Sequence, residues 1–188
     1  TIPLDGPSVY IMLDVPLLSD SYNSPGWPAA MAGYTNGWPG GVIYRSVDGG
    51  QTWTDLQGFT SPVTIGYARG ALGAGRFDIV DASGVLDVDM MAGDLSSIDE
   101  VAQLAGGNAL AYGAPGRWEI CSPRTVTLNA DGSLRMTDWL RGRFGTEWAA
   151  SLHQSGDALV LLTDPDLAWV GMESGSIGLP RDYRGITA

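Results

Sequence analysis

The sequence predicts a mainly β domain, hairpin-rich and built as a β-sandwich or barrel-like unit, with one short α-helix around residues 97–105. Three observations point there. Glycine (27 residues) and proline (11) break the apolar runs so often that strands are favoured over helices. Two of the breaks, Asp48-Gly49-Gly50 and Asn129-Ala130-Asp131-Gly132, are tight-turn sequences between strand-like runs. Only one stretch carries helix signals at both ends.

In chain order, residues 8–15 (SVYIMLDV) read as a first strand stopped by Pro16. Residues 17–41 read as loops around a strand at 29–34. Residues 42–45 and 52–56 flank SVDGGQ and make a hairpin. Further strands fit 62–67, 76–80 and 85–91. The helix has Ser97 to cap it, Asp99 and Glu100 in its first turn, and Gly106-Gly107 to end it. Residues 108–112 read as a strand, 118–128 and 134–140 as a second hairpin, and 157–162 as a late strand before Asp164-Pro165-Asp166. Residues 1–172 are expected to be one β-rich domain, with any subdivision near 92–106, and the Gly-rich 173–188 a linker toward a following domain. No repeat at a period of about 20–50 residues suggests a solenoid.

Composition removes several function classes. All ten basic residues are Arg, against 17 Asp and 4 Glu, for a net charge of −11. No basic face for nucleic acid is expected. One Cys and one His allow neither an intramolecular disulfide nor the usual zinc ligand sets, so neither metal nor cofactor is expected. No apolar run approaches the ~18 residues of a membrane-spanning helix. The chain starts TIPL without an initiator Met, and it is expected to be a piece of a longer protein with no signal peptide.

The sharpest local motif is Ser46-Val47-Asp48-Gly49-Gly50-Gln51-Thr52-Trp53. It matches the Asp box of sialidases and other β-propellers, where it locks a hairpin and carries no chemistry. A propeller needs several such blades, and one box in this chain reads as a structural turn built on Ser46, Asp48, Gly49, Gly50, Thr52 and Trp53. In LRGRFGTEW, Glu147 with Arg141 and Arg143 has a catalytic reading; the plainer reading pairs an Arg with Glu147 or a nearby Asp across a glycine turn. The acidic spots Asp87/Asp89/Asp94, Asp78/Asp81 and Asp164/Asp166 match no full calcium loop. His153, beside Gln154-Ser155-Gly156, reads as part of an exposed turn. Cys121, within WEIC, reads as a small buried hydrophobe. No catalytic residue is nominated.

Seven Trp are many for this length. Trp27 and Trp38 precede Pro in Gly-rich loops, where a ring can stack on a sugar or close the loop over the core. With Tyr22 and Tyr34 they form the candidate ligand-binding set. Trp53, Trp118, Trp139, Trp148 and Trp169 are expected in the core.

A set of motifs in order carries a family likeness. They are LDVPLL (13–18), GWPG (37–40), IYRSVDGGQTW (43–53), AGDLSS (92–97), GGNALAYG (106–113), GRWEICSPRTVTL (116–128), WLRGRFGTEWA (139–149) and GLPRDYRGIT (178–187). In that order they resemble the C-terminal region of siphophage tail-tip, or baseplate hub, proteins. The nearest likeness is the host-specificity-type protein of gene transfer agents. The resemblance implies a virion structural protein made in the bacterial cytoplasm and placed at the tail tip. It also implies a homotrimer in the full-length protein, with the distal tail protein and fibres as neighbours. It brings no catalytic residue to this segment.

The main expectation is therefore a non-enzymatic structural domain serving tail assembly and host attachment. One alternative is a carbohydrate-binding module reading host cell-surface glycan through Trp27, Trp38, Tyr22 and Tyr34. A third is a fragment of a glycan hydrolase using an unassigned pair of carboxylates.

Overall fold

The computed structural model describes residues 7–18, 24–35 and 37–188. Its strands are β1 (Val9–Met12), β2 (Gly26–Ala32), β3 (Gly41–Ser46), β4 (Thr54–Phe59), β5 (Ile65–Ala68) and β6 (Leu86–Ala92). After the helix α1 (Glu100–Leu104) come β7 (Leu110–Gly113), β8 (Glu119–Leu128), β9 (Leu134–Arg143), β10 (Ala158–Leu161), β11 (Ala168–Gly171) and β12 (Asp182–Thr187). Six of them close a barrel in the order β5-β6-β9-β8-β7-β10. Two three-stranded sheets, β1-β2-β11 and β12-β3-β4, complete the fold. The protein is mainly β, with a barrel at its centre.

Side-chain alternation explains why the barrel strands near β2 are apolar on both faces. On β7, Leu110 and Tyr112 join the barrel interior with Cys121, Met136, Trp139 and Leu159. The intervening Ala111 joins Ile120, Ala158 and Val160 in a second cluster with Ala29–Ala32 of β2. A period of two with both faces buried reads in sequence as a continuous apolar run. Closing the sheet also removes the exposed edges that invite aggregation.

Both expected hairpins form: β3 pairs with β4 and β8 with β9. The helix is shorter than the 97–105 reading, and its cap is Asp99, which accepts from Ala102 N at 2.8 Å. Ser97 instead bridges to β8, its Oγ donating to Val126 O and accepting from Val126 N. With the cap at Asp99, two residues past Ser97, the helix starts later than expected.

The strand expected at 76–80 is absent. Arg76 and Asp78 pair with each other at 2.7 Å, and Asp81 folds the chain back by accepting from Ser83 N, Ser83 Oγ and Gly84 N. Such local side-chain bonds compete with a ladder, which survives only as the single pair Asp81–Trp139. β2 starts three residues before the expected strand and includes Pro28, which lies one residue past the last β1–β2 ladder pair, Met12–Ala29. β11 was not anticipated.

Residues 173–188 do not run out as a linker. β12 pairs with β3 along its whole length, from Asp182–Ser46 to Thr187–Gly41. Gly185 permits it, because a Cβ there would lie 2.6 Å from the Tyr10 ring. At the far end of β12, Thr187 Oγ1 meets Ser8 Oγ at 2.7 Å, so the two ends of the described chain are tied together.

Candidate functional site

The Asp-box turn is saturated by its own groups. Ser46 Oγ donates to Asp48 Oδ1 and accepts from Gly50 N, while Thr52 N and Oγ1 donate to the two Asp48 oxygens. Gly49 and Gly50 adopt φ of 70° and 85°, which the turn needs and glycine supplies without strain. The Thr52 bonds hold the Asp48 carboxyl at about 2, below the usual carboxylate range. Trp53 Nε1 closes the loop on Gly50 O, and Arg184 of β12 stacks 4.2 Å above the Trp53 ring.

The four candidate ligand residues separate. Tyr22 lies outside the described residues. Trp38 is 8% exposed, its ring against Gly33 and its Nε1 donating to Ser8 Oγ at 2.7 Å. The loop turns the ring inward, so Trp38 is no stacking platform. Tyr34 is exposed, near enough to Tyr67 for its charge to raise that phenol alongside the larger effect of burial. Trp27, half-buried, is the one that lines a cavity.

That cavity is a groove of about 820 Å³ where the barrel meets both small sheets. β1 supplies Tyr10 and Met12, β2 supplies Trp27, β12 supplies Tyr183, and the barrel supplies Tyr67 and, just before β8, Trp118. Trp27 and Tyr183 meet edge to face, centroids 5.4 Å apart at 77°. Tyr10 Oη donates to Tyr183 O at 3.1 Å, fixing the wall from the β1 side. The opposite rim is the turn at 113–116, where Gly113 and Gly116 have φ of 142° and 78° and Arg117 N donates to Ala114 O. Two carboxylates line the groove, Asp14 and Asp157. Its size lies within the ~300–1,000 Å³ of small-molecule sites.

Asp157 also joins a buried network beneath the groove. Arg117 grips it through two bonds at 2.5 and 2.6 Å, and Gln154 N donates to it at 2.8 Å. His153 Nδ1 stands 3.7 Å from Asp157, and His153 Nε2 lies 2.6 Å from Glu119 Oε2. Glu119 further accepts from Arg141 Nε and Nη2 and from Gly142 N. The imidazole stacks on Tyr112 at 3.8 Å and 17°. Burial pushes the Glu119 carboxyl up, but the bonds from His153 and Arg141 outweigh it and leave the group below its ordinary value. Burial pushes the Tyr112 phenol up to about 12.

Two expectations are corrected here. Arg141 pairs with Glu119 and also lies 3.7 Å from Asp81, so the plainer reading of that motif holds through an Asp and not through Glu147, which stays exposed. His153 is buried and not on an exposed turn. Trp148 is 58% exposed and lies outside the core. The side chains of Glu119, Arg141 and His153 are all fully buried. The signal for Glu119 was available: it is a lone acid inside WEIC, and a carboxylate in a buried strand demands a partner. Among the described residues, no three of His, Cys, Asp and Glu are grouped to hold a metal ion.

The family model described as Rcc01698-like, C-terminal, matches residues 63–160, a little over half of the chain. The chain belongs to that family. No curated protein matches it. In this Rcc01698-like C-terminal domain the matched stretch runs from two residues before β5 into β10, which are the first and last barrel strands in the chain. It therefore spans the barrel and the Glu119–His153–Arg141 network. The aromatic wall of the groove, from β1, β2 and β12, lies outside the matched residues.

Proposed function

We propose that this domain is a structural module of a phage-like tail-tip, or baseplate hub, protein of the gene-transfer-agent kind, serving tail assembly and host attachment. The observation that carries the reading is the family match across the barrel, taken with the ordered motifs that extend the likeness to stretches within residues 13–53 and to residues 178–187. Its neighbours in this reading are the distal tail protein, the fibres and two further copies in a trimer, in the virion. The physical character of the fold is in keeping with it. A closed barrel offers no free edges, buried ion pairs tie its loops, and an Asp-box lock with an added strand stiffens the outer sheet. A module of this build holds its shape in a particle that works outside the cell.

The test uses the full-length protein in particles made by its own host. An epitope is inserted in the exposed turn at Gly132, and purified particles are labelled for electron microscopy. Label at the tail tip supports the reading. Particles that carry no label although the tagged protein is made in the cell overturn it.

A further inference from the structure

We propose that the groove between the barrel and the two small sheets is a binding site for a neutral saccharide, whose ring faces stack on the wall of Trp27, Tyr183 and Tyr10 and whose hydroxyls bond to Asp14 and the backbone of the 113–116 turn. The inference goes beyond the assembly role and does not depend on it.

Three features select this ligand class. The wall is aromatic and held before any ligand arrives: Trp27 is set against Tyr183, and Tyr10 is bonded to the Tyr183 backbone. Rings fixed in advance lose little entropy on binding, and an amphipathic ring face suits the C–H face of a pyranose. Next is charge. Among the described residues, the charged groups lining the groove are the carboxylates of Asp14 and Asp157, with no Arg. Arg117 is engaged by Asp157, which leaves the Asp14 carboxylate to repel an anionic glycan, phosphate or nucleic acid. The third feature is the state of those carboxylates. Asp157 is taken by Arg117, whereas Asp14 is exposed and forms no hydrogen bond or ion pair among the described residues. A free carboxylate beside aromatic faces accepts hydroxyl hydrogens, and its two oxygens can serve neighbouring hydroxyls of one ring.

The arrangement differs from a set of exposed loop tryptophans. Trp38 has turned into the core, and Trp27 acts from a strand with partners from β1 and β12. The site needs all three sheets, so a stretch limited to the barrel lacks its stacking wall.

The experiment titrates the 188-residue chain with cellohexaose, laminarihexaose and maltohexaose, following tryptophan fluorescence and calorimetry. An acidic polysaccharide and an Arg-rich peptide serve as competing ligand classes. Saturable binding of at least one neutral hexasaccharide is expected, weakened about tenfold or more in Trp27→Ala and in Asp14→Ala. Trp148→Ala, an exposed ring elsewhere, is expected to bind unchanged. Asp14 is exposed and without a partner among the described residues, so Asp14→Ala keeps the test valid even where Trp27→Ala fails to fold. Binding by none of the three sugars, binding unaffected by Asp14→Ala, or saturable binding only of the acidic polysaccharide or the peptide each overturns the proposal.

Discussion

His153 and Glu119 meet at 2.6 Å inside the protein, and Arg141 donates to both oxygens of the same carboxylate at 2.7 and 2.8 Å. The contact joins the first residue of β8 to the loop before β10, while Arg141 reaches in from β9. One carboxylate thus fixes three consecutive parts of the barrel end.

Removing that charge should be among the most damaging single changes. Glu119→Gln keeps the shape but leaves Arg141 buried without its main counter-charge, a situation costing about 3–5 kcal/mol. His153→Leu should cost less, because Arg141 and Gly142 still satisfy Glu119. Urea unfolding of both variants checks the ranking, and equal midpoints would contradict it.

Stability should fall on acidification. Burial raises the carboxyls of Glu119 and Asp157, but bonds from His153 and Arg141 to the former and from Arg117 to the latter leave both below their ordinary values. Groups depressed in the folded state contribute stability above the unfolded carboxylate range of about 4 and lose it as pH falls through the folded values. Denaturant midpoints measured between neutral pH and about pH 3 should drop toward the acid end, and Glu119→Gln should flatten that slope.

Asp48→Ala should loosen the Asp-box turn and leave the barrel intact. Its two oxygens hold Thr52 N, Thr52 Oγ1 and Ser46 Oγ, all at the tip of one hairpin. Hydrogen exchange should accelerate at the Thr52 amide and stay slow on β8 and β9.

Gly185→Ala should strain the seam between the two small sheets. The added Cβ would sit 2.6 Å from Tyr10 Cδ1, whose ring forms part of the groove wall. Overpacking of this kind costs about 1–3 kcal/mol. Thermal unfolding should register the loss, and Gly116→Ala, where nothing lies within 4 Å, offers a comparison limited to backbone strain at φ 78°.

Cys121 should resist thiol reagents in the folded protein. It is fully buried, and burial pushes its thiol well above the ordinary value. Labelling should begin only with global unfolding, which makes this thiol a reporter for the predictions above.

Much of the fold was legible because its signals are local. Asp48-Gly49-Gly50 and Asn129 to Gly132 mark hairpins without reference to the rest of the chain. What was missed depends on partners far away in sequence. β12 looks like a linker because Gly185 interrupts its apolar alternation, and only the Tyr10 ring against that glycine explains the interruption. Trp38 reads as a loop ring until Ser8 is placed beside its indole N–H. His153 reads as a turn residue until Glu119, 34 positions earlier, is brought to it. The groove is the extreme case, since Trp27 alone of its wall stood out, while Tyr10 and Tyr183 join it only through pairings between opposite ends of the chain.

The place of Tyr183 has a consequence for synthesis. A ribosome releases the β3–β4 hairpin and the whole barrel before it reaches β12, so each can form from residues already made. The groove cannot. Its stacking wall waits for β12, and a nascent chain that stops short of that strand holds a finished barrel beside an open, apolar seam. Synthesis of β12 is then the step that both shields that seam and creates the pocket.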